Sequence, residues 1–235
     1  MKIALIGYGK MGKLLEIKAK ERNHTISKIL KKQKWTSQDL MDSDMAIDFS
    51  SPDSAADNIH KAFKANVPIV VGTTGWNKDF DKVKNWCNEY NGAILPSSNF
   101  SLGVNIFFEI NNQLSKIMNQ QKSYSVKIRE THHTEKVDSP SGTAITTAEI
   151  ILDQMDHYSN WVSNTSDYGN KLPIIAKRKE GEAGTHEVIY ESNIDELSIC
   201  HRAKNREGFA IGAIIAAEFL YNKKGLFSMK DVVKF

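Results

Sequence analysis

The chain has 235 residues, 40% hydrophobic and 25% charged, the balance of an ordinary globular protein rather than a disordered or fibrous one. Its 31 basic and 28 acidic side chains leave a formal charge of +3, too small an excess to point to nucleic acid. No segment approaches the roughly 18 apolar residues of a membrane span, and the opening run Ile3 to Ile6 is too short for a signal-peptide core, so a cytoplasmic location is expected.

The first hundred residues alternate apolar strands and helices. Residues 3–6 form a short apolar run ending in glycine, and Met11, Leu15 and Ala19 then recur at helical spacing. Residues 25–30 are β-rich, and residues 45–49 give a third strand. A helix is expected after Pro52, with Ala55, Ile59 and Phe63 on one stripe. Residues 67–71 and 93–95 supply a fourth and a fifth strand. Such alternation predicts a parallel sheet with helices on both faces. The pattern changes near residue 102. Residues 105–118 predict a helix, and then Tyr124, Val126 and Ile128 alternate with polar neighbours, the mark of a strand with one wet face. Residues 142–155 predict a helix carrying Ile145, Ala148, Leu152 and Met155 on one side. Three strands follow, at 174–178, 185–190 and 194–201, the last two joined by a turn at 191–193, and an apolar helix spans 209–221. The expected fold is α/β: a Rossmann-like dinucleotide-binding domain at 1–101, a second α+β domain with a mixed sheet at 102–204, and a C-terminal helical segment, 205–235, returning to the first. Cys87 and Cys200 are far apart in sequence and lack a CxxC spacing, so two reduced, at least partly buried thiols and no metal site are expected.

Gly7-Tyr8-Gly9-Lys10-Met11-Gly12 matches G-x-G-x-x-G, directly after a strand and at the opening of a helix. Only glycine lets backbone amides come this close to a pyrophosphate, and the helix start adds partial positive charge. A tight turn without a ligand is the plainer alternative. A carboxylate for the ribose of NAD is expected about 20 residues on, yet residues 22–38 contain neither Asp nor Glu. The second strand runs instead into Lys31-Lys32-Gln33-Lys34, which favours a 2′-phosphate and hence NADPH at least as much as NADH. A solvated lysine loop would have the same composition.

The segment from Glu130 to Ala144 holds two adjacent histidines, a nearby lysine and a Pro-Ser-Gly-Thr entrance to a helix. Imidazole donates protons near neutral pH, lysine binds carboxylates or donates protons, and amides at a helix start hold anions. Together they suit a small dianionic substrate that must be protonated beside a hydride donor. A solvated His-His pair with ordinary helix punctuation would look alike.

His132-His133, Lys136, Asp138 and Pro140-Ser141-Gly142-Thr143-Ala144 form H-H-x-x-K-x-D-x-P-S-G-T-A, which resembles the signature of the 4-hydroxy-tetrahydrodipicolinate reductase family. Gly72-Thr73-Thr74-Gly75, Asn99-Phe100-Ser101, Asp48-Phe49-Ser50 and His201-Arg202-Ala203 also resemble it in register, so the likeness spans nearly the whole chain. The resemblance implies NADPH- or NADH-dependent reduction of a cyclic dicarboxylate in the diaminopimelate route to lysine, by a homotetramer built through the second domain. It implies His132 as proton donor and acceptor, Lys136 as proton donor and His133 as a substrate ligand, with the amides of Gly142 and Thr143 holding a carboxylate. It places the loop from Gly7 to Gly12, Tyr8, Lys10 and Met11 included, on the pyrophosphate. Gly72, Thr73 and Thr74, with Ser97, Ser98, Asn99 and Phe100, fall at the nicotinamide end. Two departures stand out. The glycine loop is one residue shorter than the family's common G-x-x-G-R-M-G, with Lys10 for arginine, and the connection between the second and third strands is short. Other Rossmann reductases of amino or imino acids, and a non-catalytic NADP-binding sensor, share the loop but do not need the histidine-lysine string.

Overall fold

The computed structural model describes residues 1–31, 34–163 and 169–234. The chain divides into two units, Met1–Leu102 with Glu207–Phe235, and Gly103–Arg206.

The first unit begins with β1 (Lys2–Ile6), α1 (Lys10–Glu21) and β2 (Thr25–Leu30), then a short 3-10 turn at Ser37–Leu40. It continues through β3 (Met45–Asp48), α2 (Pro52–Lys64), β4 (Ile69–Val71), α3 (Phe80–Glu89) and β5 (Ala93–Pro96). α4 (Leu102–Met118) carries the chain into the second unit, which holds β6 (Ser125–His132), α5 (Gly142–Leu152), β7 (Asn160–Ser163), β8 (Lys171–Arg178), β9 (Thr185–Glu191) and β10 (Glu196–Arg202). The chain then returns to the first unit as α6 (Glu207–Leu220), β11 (Gly225–Leu226) and α7 (Met229–Val233).

The first sheet is wholly parallel, in the order β11-β5-β4-β3-β1-β2. Its central strands are apolar on both faces because helices cover both. Ile3 and Leu5 point into a cluster with Leu15 and the buried side of α6, while Ala4 and Ile6 point into another with Ile59 and Phe63 of α2. Pro52 starts α2 at a position where its missing N–H costs nothing. The chain order reverses between β1 and β3, so the loops at their carboxyl ends open a crevice where open α/β sheets bind ligands.

α6 is apolar nearly all round because it is buried nearly all round. Gly212 lets it approach the backbone, since a Cβ there would lie 1.8 Å from the Phe100 carbonyl oxygen. At its far end, Glu218 accepts two hydrogen bonds from Arg22, at 3.0 and 2.7 Å, and sits 2.8 Å from His24 Nε2. Gly212→Ala is therefore expected to cost about 3 kcal/mol or more by forcing backbone apart, seen as a Tm lower by on the order of 10 °C.

The second sheet is mixed, in the order β10-β9-β6-β8-β7, with β6 antiparallel to β9 and parallel to β8. Alternate residues of β6 are buried, and Val126 and Ile128 meet α4 and α5 in one cluster. Inside that layer the Ser115 and Tyr190 hydroxyls are 2.9 Å apart, and Asn111 donates to the Thr147 carbonyl at 3.2 Å.

Several details differ from the sequence expectation. α3, β7, β11 and α7 have no counterpart among the predicted elements. The buried stripe of α5 is Ala144, Thr147, Ala148 and Ile151; Ile145 and Leu152 are only half-buried, and Met155 packs beyond the helix end. Alanine and threonine face the sheet because α5 lies close to it. The β9–β10 turn spans Ser192 to Asp195, closed by a 3.0 Å backbone bond, so Ile194 is exposed at its tip rather than in a strand. Both cysteines are free, but Cys200 is exposed on edge strand β10, where only Cys87 was placed correctly by the expectation of burial.

Candidate functional site

In the first unit, three glycines open α1, and each has a different physical reason. Gly7 has φ +87°, and a Cβ there would lie 2.2 Å from the Phe49 carbonyl oxygen. A Cβ on Gly12 would lie 2.4 Å from the Gly7 carbonyl oxygen, so this glycine sets the approach of helix to turn. At Gly9 nothing lies within 4 Å. No protein atom requires that glycine, which fits a ligand passing close by. No side chain caps α1, and no acidic residue sits in its first turn, so its leading amides suit a pyrophosphate.

The turn borders a cleft of about 680 Å³, walled by Gly7, Tyr8 and Gly9 on one side and by Lys31, Lys34 and Trp35 on another. Lys61 of α2 also reaches it, 4.6 Å over the Trp35 ring and 2.7 Å from Asp57, the one carboxylate on the wall. Lys31 lies 5.4 Å over the Tyr8 ring. Three ammonium groups against one carboxylate make this cleft attractive to a phosphate. Lys32 lies outside the described residues. Lys10 is exposed at the helix start, whereas Met11 packs partly into the core.

Gly72, Thr73 and Thr74 follow β4, and Ser97, Ser98, Asn99 and Phe100 follow β5, along the same carboxyl edge of the sheet as the glycine turn. The Thr73 hydroxyl is already engaged: it donates to Asp48 Oδ1 and accepts from the Ser50 amide, both at 2.8 Å. Asp48 is fully buried and also accepts from Asn58 at 2.9 Å. Burial pushes its carboxyl above the usual range, against hydrogen bonds that pull it down. Ser97 Oγ donates to the Asn99 carbonyl at 2.8 Å, shaping the turn, while the Phe100 side chain belongs to the core, leaving only its backbone for a ligand.

The second unit gathers the histidine-lysine string at the end of β6 and the start of α5. The strand's period of two places Glu130 and His132 on its buried face. Register places His186 of β9 opposite Glu130, and Arg178 of β8 opposite His132. Glu130 Oε2 lies 3.2 Å from His132 Nδ1, and Glu130 Oε1 accepts from the Ser141 amide at 3.0 Å. Ser141 caps α5 by accepting from the Ala144 amide at 3.2 Å, and its hydroxyl is 3.1 Å from His186 Nε2. Burial pushes the Glu130 carboxyl up, but His132 and the hydrogen bonds of Ser141 outweigh it and bring it down to about 2. Burial, reinforced by neighbouring His132, lowers His186 to about 3, so that ring is neutral. The ligand atoms of Glu130, His132 and His186 lie within 4.8 Å of one another, a spacing a divalent ion could use; the Arg178 guanidinium, 3.6 Å from Glu130, opposes one.

His132 Nε2 faces Gly184, where an added Cβ would come within 3.1 Å of it. His133 lies 3.2 Å from Arg206 Nη2. Lys136 Nζ donates to both Asp138 oxygens at 2.8 Å. Gly142 has open space where a side chain would be, and Thr143 stands beside it in the first turn of α5. An imidazole, an ammonium group and the start of a helix thus collect at one end of one sheet, the set needed to hold an anion and protonate it. Glu130, His186 and Arg178 were not singled out from sequence. Glu130 had a usable signal, two residues before His132 on a period-two strand; the other two depend on strand register.

The family description "Dihydrodipicolinate reductase, N-terminus" matches residues 1–100, and "Dihydrodipicolinate reductase, C-terminus" matches residues 103–233. A 4-hydroxy-tetrahydrodipicolinate reductase of Christiangramia forsetii is 48% identical, covering 99% of this chain and 98% of the relative. Another of that name, from Methanopyrus kandleri, is 33% identical over 82% of this chain and 72% of its own length. Among solved structures, a dipicolinate-bound dihydrodipicolinate reductase from Paenisporosarcina sp. TG-14 superposes with a TM-score of 0.82 at 19% identity over 98% of both chains. An amine dehydrogenase from Mycobacterium smegmatis shares the fold more distantly, with a TM-score of 0.62 at 8% identity, covering 100% of this chain and 95% of that one.

Proposed function

The chain belongs to the dihydrodipicolinate reductase family and is an NAD(P)H-dependent oxidoreductase of lysine and diaminopimelate biosynthesis; from that premise we propose how its residues reduce 4-hydroxy-tetrahydrodipicolinate to tetrahydrodipicolinate. The observation that carries the assignment of roles is the joining of His132 to the start of α5, an acid held beside an anion site.

The first unit holds the cofactor, with its pyrophosphate on the Gly7–Gly12 turn. Bound NAD(P)H supplies the hydride. The amides of Gly142 and Thr143 hold one substrate carboxylate, and His133, oriented by Arg206, contacts the ring. Loss of water from the substrate leaves a conjugated imine. Hydride addition to it puts negative charge on the ring, which a proton must quench. His132 donates that proton through Nε2, the nitrogen left accessible by Gly184, because Nδ1 faces Glu130. Lys136 protonates the hydroxyl that departs as water, balanced by the ring proton lost in the same elimination, and Asp138 holds its ammonium group in place.

The direct test uses NADPH carrying two deuterons at the nicotinamide reactive carbon, with substrate generated in place from pyruvate and aspartate semialdehyde by the preceding synthase. Product heavier by one mass unit is expected; unlabelled product would contradict the reading.

Lys31 and Lys34 attract the 2′-phosphate of NADPH. Replacing both by alanine is expected to raise the KM for NADPH about tenfold, worth roughly 1.4 kcal/mol, with little change for NADH. Steady-state kinetics with each cofactor checks this. No helix among the described residues is long and apolar enough to cross a membrane. We place the enzyme in the cytoplasm as a homotetramer assembled through the second unit. Both helices of that unit cover one sheet face, leaving Lys127, Arg129 and Thr131 on the other. Light scattering would show the assembly size.

A further inference from the structure

We propose that Glu130 and Arg178 form a charged hub that positions the proton donors and the carboxylate-binding helix start, and that the negative charge of Glu130, not merely its bulk, sets the working state of His132. The proposal rests on the reading of His132 as the proton donor.

Glu130 has no exposed surface, yet its carboxylate lies within 3.7 Å of His132, Ser141, Arg178 and His186. Its Oε2 faces His132 Nδ1 at 3.2 Å, while its Oε1 holds the Ser141 amide at 3.0 Å, one residue before the amides that bind substrate. Arg178 links it to the lysine loop. Its Nη1 is 3.6 Å from Glu130 Oε1, its Nε donates to the Lys136 carbonyl at 3.3 Å, and its Nη2 donates to the Asp138 carbonyl at 2.6 Å. One buried carboxylate and one guanidinium thus fix the positions of His132, the start of α5 and the backbone that bears Lys136.

A purely structural hydrogen-bond acceptor would not need to be ionised, and burying an ionised carboxylate is costly unless it is paired. The groups facing it are His132 on its own strand, Arg178 from β8 and His186 from β9, with Lys136 in the adjoining loop and His201 of β10 behind His186. His186 is neutral, so the cationic partners are His132 in its protonated form, Arg178 and, at longer range, Lys136. A carboxylate against Nδ1 directs a proton there and orients Nε2 outward, and it stabilises the imidazolium. With the pKa of Glu130 lowered to about 2, the charge persists throughout the pH range of turnover.

These features make the charge separable from the shape. Glu130→Gln keeps size and one acceptor oxygen but removes the charge. It is expected to lower kcat at least 100-fold, with the KM for NADPH within twofold of wild type. The alkaline limb of the kcat/KM profile moves to lower pH. Folding is checked by circular dichroism and thermal melting. Because the ionised form belongs to the folded state, the contribution of Glu130 to stability is full above pH about 4.5 and declines as pH falls towards 2, and the variant lacks that contribution. Arg178→Lys serves as the second variant, retaining charge while losing the fork that holds both carbonyls; it should raise the KM for substrate at least fivefold and leave the pH profile of kcat/KM unchanged.

The two failures are distinguishable. Full activity in His132→Gln would remove the underlying reading. Loss of activity in His132→Gln, together with a Glu130→Gln protein whose kcat and pH profile match wild type, would overturn the hub alone. Should Glu130→Gln not fold, an unchanged substrate KM in folded Arg178→Lys would overturn it.

Discussion

His132→Gln is expected to lower kcat by about 10²- to 10⁴-fold, the usual worth of a positioned general acid. Glutamine retains polarity and approximate length but cannot deliver a proton at neutral pH. The site around it should persist, because Glu130 keeps its bond from the Ser141 amide, and Ser141 keeps its cap on α5. Dicarboxylate binding should therefore change by less than about threefold, measured by calorimetry with dipicolinate as the ligand. Cofactor affinity should not change, since the glycine turn and the lysine cleft belong to the other unit. A loss confined to kcat is what an interaction made only in the transition state leaves behind.

The second large effect separates two glycines of one motif. Gly12→Ala is expected to destabilise the first unit by about 3 kcal/mol, because its Cβ would sit 2.4 Å from a carbonyl oxygen that cannot move without opening the turn. Gly9→Val is expected to leave the melting temperature of the free protein within about 2 °C, since nothing of the protein lies within 4 Å of a Cβ there. It should nevertheless raise the Kd for NADPH by at least about tenfold, by placing methyl groups where the pyrophosphate lies. Thermal melts with and without cofactor test both at once. If Gly9→Val bound NADPH normally, the turn would be a structural device with the ligand elsewhere.

Much of this architecture was legible because burial writes period into sequence. The continuous apolar runs of β1 and β4 announce strands covered on both faces, and the alternation from Ser125 to His132 announces one covered on a single face. The strand from Thr25 to Leu30 and the stripe of Ala55, Ile59 and Phe63 needed no tertiary knowledge. β7 was missed because Trp161 and Val162 are only half-buried and no alternation marks them. β11 has two residues, and what holds it is the pairing of its backbone with Gly92 and Ile94. The stripe of α5 was displaced because small residues, not the larger Ile145 and Leu152, face the sheet.

The site divides along the same line. His132, Lys136, Gly142 and Thr143 are neighbours in sequence, so a local string could propose them. His186 and Arg178 enter through the pairings Glu130 with His186 and His132 with Arg178, which no local pattern encodes. The same holds for Lys61, brought to the cleft by the packing of α2 and paired there with Asp57. Their chemistry is nonetheless predictable once placed: a buried carboxylate must find cations, and a phosphate-seeking cleft must find lysines.

The most direct test of the central claim is the loss of reduced-nicotinamide absorbance when purified protein meets NADPH or NADH and substrate generated in place. Rapid oxidation by wild type that requires both pyruvate and aspartate semialdehyde with the synthase is expected, with the rate lowered at least about 100-fold in Lys136→Ala or His132→Gln. Folded wild-type protein that binds NADPH but oxidises neither cofactor under those conditions would contradict it.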